Sequence, residues 1–71
     1  MENLASFVRK RRKEANLTQV ELASKAGVGL RFIRELEANK KTLRLDKVDL
    51  VLRLFGRTVG AVEALREAEN D

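Results

Sequence analysis

Between Thr18 and Glu37 the chain reads TQVELASKAGVGLRFIRELE, two short apolar patterns with helical spacing on either side of a glycine. That spacing leaves little choice of local fold. If Gln19 opens a helix, Leu22 and Ala26 stand one turn apart on its inner side, with Ala23 beside them. Two helices joined by a turn of three or four residues cross at about 90 to 120° with their backbones close, so a side chain larger than that of Ala23 would hold them apart. Gly27 falls where the first of these helices must stop and the chain must turn through positive φ, which costs a residue with a Cβ roughly 1 kcal/mol or more. Val28 then plugs the turn from beneath. Ile33 and Leu36 give the following helix a narrow apolar stripe to set against its predecessor, and Arg31, Arg34 and Glu35 are left pointing outward.

The flanking sequence supplies the other elements. Leu4, Phe7 and Val8 follow helical spacing, which predicts a first helix from residue 3 to about 15, with Asn3 or Ser6 near its start and Asn16 at its end. Thr18 with Glu21 three residues on predicts a capping box; the helix it opens runs to about Ala26, and the next from about Leu30 to Ala38, stopped by Asn39. Asn39 to Thr42 reads as a loop. Leu45, Val48, Val51, Leu52 and Phe55 form the apolar face of a fourth helix, with Asp46 in its first turn and Gly56 at its end. From Arg57 to Val62 the β-branched residues favour a short strand, whereas Ala61 to Glu69 favours helix. A lone strand leaves its backbone groups unpaired, so the strand reading requires a partner chain, most simply a second copy across a two-fold axis. The expected fold is all-α, a bundle of four to five short helices over residues 1–56, followed by a C-terminal dimerisation segment and acidic tail over 57–71.

Composition narrows the function. A chain of 71 residues makes one domain, and at this size only about 60% of the unfolded surface is buried, so a homodimer is reasonable on energetic grounds. The absence of Cys and His excludes a disulfide framework and leaves only carboxylates as metal ligands, so neither a metal nor a cofactor is expected. An enzyme is not expected either, since there is no His, Cys or Tyr to carry acid, base or nucleophile and no glycine loop to cradle a phosphate. No apolar run reaches the ~18 residues of a membrane span, and the amino terminus lacks the succession of a signal peptide. Through Gly60 the chain carries 14 Lys and Arg against 7 Asp and Glu, whereas residues 61–71 carry one Arg against four acids. A basic domain suits a polyanion, and three Phe without Tyr or Trp argue against recognition of single strands by stacking. Duplex DNA fits better.

Gln19, Ala23, Gly27, Ile33 and Leu36 together resemble the Cro and phage-repressor (XRE-type) class of helix-turn-helix domains, and residues 3 to 56 span that lambda-repressor-like fold. More narrowly, GVGLRFIRELE followed by KKTLRLDKVDLVLRLFG is similar to the HipB-like antitoxins, which pair with HipA-like kinase toxins and repress their own operons. The usual glycine after the recognition helix is replaced by Glu37-Ala38-Asn39-Lys40, where Asn39 also tolerates left-handed geometry.

The resemblance implies roles for particular residues. Gly29, Leu30, Arg31 and Arg34 occupy the edge that touches bases; an Arg can donate two parallel hydrogen bonds to guanine, and Leu30 can meet a thymine methyl. Thr18, Gln19, Lys40, Lys41 and Arg44 stand where phosphates are held. Arg12 and Glu37 fill the positions of a partly buried structural ion pair. The implied partners are a palindromic double-stranded operator, a second copy of the chain and a HipA-like kinase toxin, with no membrane, in the bacterial cytoplasm in association with the nucleoid.

Plainer readings stand beside these. The basic run Arg9 to Lys13 sweeps more than a full helical turn, so it cannot face one surface and reads as solvated rather than as a single patch. Leu50 and Leu54 flank the stripe of the fourth helix and suit either core or a dimer or kinase contact. Phe32 reads as packing support, and the tail carboxylates Glu63, Glu67, Glu69 and Asp71 as solvated rather than metal-binding. Two other functions remain open: a stand-alone phage-type or operon regulator with no toxin partner, and a helical protein-interaction module that does not bind DNA.

Overall fold

In the computed structural model, which describes residues 3–60, four helices follow one another: α1 (Leu4–Glu14), α2 (Gln19–Ala26), α3 (Leu30–Glu37) and α4 (Leu45–Arg53). All four are closed by the same device, a residue in the left-handed region whose N–H, with that of its successor, returns to the last turn. Asn16 (φ 58°) and Leu17 do this for α1, donating to Lys13 and Arg12 carbonyls at 3.0 Å each. Gly27 (φ 75°) and Val28 close α2, Asn39 (φ 63°) and Lys40 close α3, and Gly56 (φ 73°) and Arg57 close the turn after α4. A Cβ on Gly27 would meet nothing within 4 Å. Its glycine is therefore required by backbone conformation and not by crowding.

The helix starts are also written locally. Asn3 Oδ1 accepts from the Ser6 N–H at 2.8 Å to begin α1. Thr18 Oγ1 accepts from the Glu21 N–H at 3.0 Å while Glu21 Oε1 accepts from the Thr18 N–H at 2.8 Å, a complete capping box that opens α2. These bonds satisfy amide groups that have no partner inside a helix.

Between these ends, each helix turns one stripe inward. Val8 of α1, Leu22, Ala23 and Ala26 of α2, Ile33 and Leu36 of α3, and Val48, Val51 and Leu52 of α4 form one buried cluster. Phe7, Leu17, Val28, Phe32, Leu43 and Phe55 close around it. Each fully buried large aliphatic side chain contributes about 1.5 to 3 kcal/mol. In this arrangement α3 packs on both α2 and α1, and α4 packs on α2. The seam between α1 and the end of α4 is aromatic: Phe7 and Phe55 meet edge to face with centroids 6.4 Å apart. The Arg11 guanidinium lies 5.6 Å and 5.5 Å from the two ring centres, and that of Arg57 lies 5.8 Å from Phe7.

Two expectations are revised. Leu45, placed by its spacing on the apolar face of α4, is 66% exposed. As the first residue of the helix its side chain slants back toward the N-terminus and past the edge of the core, and Leu43 in the preceding loop packs there instead. Residues 57–60 adopt no strand. Asp49 of α4 holds them, its Oδ1 accepting from Thr58 Oγ1 at 2.6 Å and from the Val59 N–H at 2.8 Å, while its Oδ2 pairs with Arg53 Nε at 2.6 Å. Ala61 and Val62 of the expected strand, the helical tendency of 61–69 and the acidic tail lie outside the described residues.

Candidate nucleic-acid interface

The C-terminal end of α3 is fastened by a carboxylate. Glu37 is the one buried charged side chain among the described residues. Its Oε2 accepts from Arg12 Nε at 2.7 Å, and its Oε1 accepts from Arg12 Nη2 at 3.0 Å and from Gln19 Nε2 at 3.1 Å. Arg12 Nη1 also donates to the Leu17 carbonyl at 2.9 Å, and Arg9 Nη1 donates to the Glu37 carbonyl. Three elements thus meet at one acid: α1 through Arg9 and Arg12, α2 through Gln19, and α3 itself. The hydrogen bond to Glu37 raises the pKa of Arg12 against the opposing effect of burial. Among the described residues no buried side-chain polar atom lacks a partner, which is the condition under which a buried ion pair is tolerated.

The N-terminal end of α3 is open. Gly29 caps it without a side chain to cover the first amide groups, Leu30 is half-buried, and Arg31 and Arg34 are exposed. Arg31 and Arg34 lie three residues apart and therefore on one side of the helix. Arg31 has 90% of its side chain exposed, and its Nε lies 3.3 Å from Glu35 Oε2, one turn on. Lys40, in the loop, reaches the same oxygen at 3.2 Å. The hydrogen bond from Lys40, with a further one from Arg31, holds the Glu35 carboxyl below the ordinary carboxylate range.

The residues assigned to phosphates are less uniform. Lys41 is exposed and makes no ion pair among the described residues. Arg44, immediately before α4, is forked onto Asp46 with Nη2 to Oδ2 at 2.7 Å and Nε to Oδ1 at 3.2 Å. That pairing lowers the Asp46 pKa. Thr18 spends its hydroxyl oxygen and its N–H on the capping box, and Gln19 spends one amide hydrogen on Glu37, leaving the other for an outside acceptor. Arg31 and Arg44 nonetheless line one shallow groove with Gly29, Glu35 and Lys47. Lys47, which spacing alone did not single out, has its ammonium 5.9 Å from the centre of the Phe32 ring. Its only signal in the sequence is its place three residues after Arg44.

The basic run of α1 is divided between uses. Arg9 and Arg12 bind Glu37, Arg11 lies on the Phe7 and Phe55 rings, and Lys10 and Lys13 are exposed.

A short helix with two exposed arginines, crossed closely on another and open at its N-terminal end, defines the geometry, and comparison with known proteins matches it. The helix-turn-helix family model covers residues 8–62. The chain belongs to the helix-turn-helix family. Over 57 residues, spanning 80% of this chain and 75% of the relative, it is 51% identical to a Sinorhizobium fredii (strain NBRC 101917 / NGR234) protein named "Uncharacterized HTH-type transcriptional regulator y4mF". In helix-turn-helix terms α2 is the first helix of the motif, Gly27 to Gly29 the turn, and α3 the helix in the recognition position.

Proposed function

We propose that this helix-turn-helix regulator is a sequence-specific, dimeric repressor that reads a palindromic duplex operator with α3, and that it serves as the antitoxin of a type II pair, neutralising a HipA-like kinase and repressing its own operon. One observation carries the DNA reading: Arg31, at the open end of α3, and Arg34, one turn on, stand exposed on one side of a helix whose C-terminal end is locked to the core through Glu37. In a major groove each can donate a bidentate pair to guanine, and Lys40, Lys41 and Arg44 lie in and after the loop that would follow the backbone. The naming of the S. fredii relative as an HTH-type transcriptional regulator supports the regulatory part. The antitoxin part rests on the likeness of the α3–α4 stretch to HipB-like chains, and Leu50 of α4 and Leu54 just after it, 45% and 43% exposed, supply apolar surface for a partner protein.

Co-purification from the native operon followed by footprinting of the upstream region tests both parts. The proposal expects a kinase in the eluate and two protected half-sites ~34 to 36 Å apart, as a two-fold dimer requires. A footprint without a kinase reduces the function to that of a stand-alone operon regulator. No footprint, and no affinity that falls with salt, overturns the DNA reading and leaves a protein-interaction module.

A further inference from the structure

The recognition face is not uniformly basic. Glu35 sits on it, one turn after Arg31, and a single carboxylate oxygen, Oε2, receives both Arg31 Nε at 3.3 Å and Lys40 Nζ at 3.2 Å. An acid so close to phosphates opposes binding to any DNA, so it requires a reason. Its geometry supplies one. The contact engages Nε and leaves the two terminal nitrogens of Arg31, which make no hydrogen bond among the described residues, as an outward fork. That fork is the edge an arginine presents to guanine O6 and N7 in an end-on pair. Without the tether, a side chain 90% exposed has many rotamers, most of which reach phosphates as readily as bases.

Building on the DNA reading above, we infer that Glu35 is a specificity-determining positioning residue: it holds the Arg31 guanidinium by Nε so that its outer fork faces a base edge, and its charge weakens binding to DNA that offers no such base. Lys40 is the second arm of the same device. By pairing with the same oxygen it helps hold the carboxylate in place, and on cognate DNA it can pass to a phosphate while Arg31 stays tethered. An unrelated duplex meets the acid without the compensating pair to guanine.

The test uses the full chain and a randomised duplex DNA library, selected and sequenced with the wild type, Glu35→Gln and Glu35→Asp, together with salt titrations on the enriched duplex and on an unrelated duplex of equal length. Glu35→Gln is expected to bind the unrelated duplex more tightly and to lose about tenfold in the ratio of enriched to unrelated affinity, with one guanine preference flattened. Glu35→Asp keeps the charge on a side chain too short to hold Nε; it is expected to keep weak binding to the unrelated duplex and still flatten that guanine preference. Thermal midpoints equal to the wild type accompany both results, since Glu35 lies outside the core cluster. Base preferences unchanged in both variants overturn the inference, as does a uniform loss of affinity on every duplex, which marks a merely structural role. A wild-type chain that enriches nothing overturns the DNA reading along with it, whereas wild-type enrichment with unaltered variants overturns Glu35 alone.

Discussion

Arg12 of α1 grips Glu37 of α3 across 25 residues of sequence, with Nε to Oε2 at 2.7 Å and Nη2 to Oε1 at 3.0 Å, and both side chains are largely withdrawn from water. Removing one partner leaves the other charged, buried and unmatched. Arg12→Ala is expected to lose about 3 to 5 kcal/mol and to lower the thermal midpoint by roughly 10 °C or more, read by circular dichroism. Replacing both residues by apolar ones of similar volume should recover much of that loss, which separates the cost of an orphaned charge from the worth of the pair.

Gly27 makes a backbone prediction. Its φ of 75° with open space around a built Cβ means that Gly27→Ala is opposed by conformation alone, by about 1 to 2 kcal/mol, while Gly27→Asn retains most of the stability. Equal destabilisation by Ala and Asn would point to a clash that the geometry does not contain.

Asp49 makes a pH prediction. Hydrogen bonds from Thr58, Arg53 and the Val59 amide depress its carboxyl from 3.8 to about 2. Because the folded value lies below the unfolded one, its contribution is complete above about pH 4 and disappears as the pH falls through 2. The Val59 amide resonance should follow that titration. In Asp49→Asn the low-pH step should vanish and exchange at Val59 should quicken at neutral pH.

On DNA, Arg31→Ala or Arg34→Ala is expected to remove about 1 to 3 kcal/mol at one base pair and relax the preference there. Lys41→Ala should weaken all duplexes alike and lower the salt slope by about one. Arg44→Ala should change that slope less, because Asp46 already holds its guanidinium.

The helices were legible where their determinants are local. Asn3, Thr18 with Glu21, Gly27 and Asn39 act within a few residues of their own positions, and the stripes of α2, α3 and α4 follow from helical period alone, apart from Leu45 at its edge. Contacts between distant elements were not. Nothing in the spacing of Arg9, Gln19 and Glu37 tells that they converge, and the pairing of Arg12 with Glu37 followed only from likeness to phage repressors. Arg11 reads as one more solvated cation until Phe7 and Phe55, 48 residues apart, are brought together beneath it. Asp49 looks like a surface acid, and only the fold returns Thr58 and Val59 to it. On the interface, sequence showed which side of α3 faces outward but not that Glu35 and Asp46 already occupy cations placed there.

The anchor at Glu37 and the exposed arginine at position 31 sit at opposite ends of α3, six residues and so ~9 Å apart along the axis. The helix is a lever with its fulcrum at the ion pair. A tilt of about 10° at that fulcrum carries the far end through roughly 1.5 Å, more than the distance range over which a hydrogen bond survives. If α3 reads bases as proposed, discrimination between them is the property most sensitive to looseness at Arg12 and Glu37, and it would degrade before the fold gives any sign of melting.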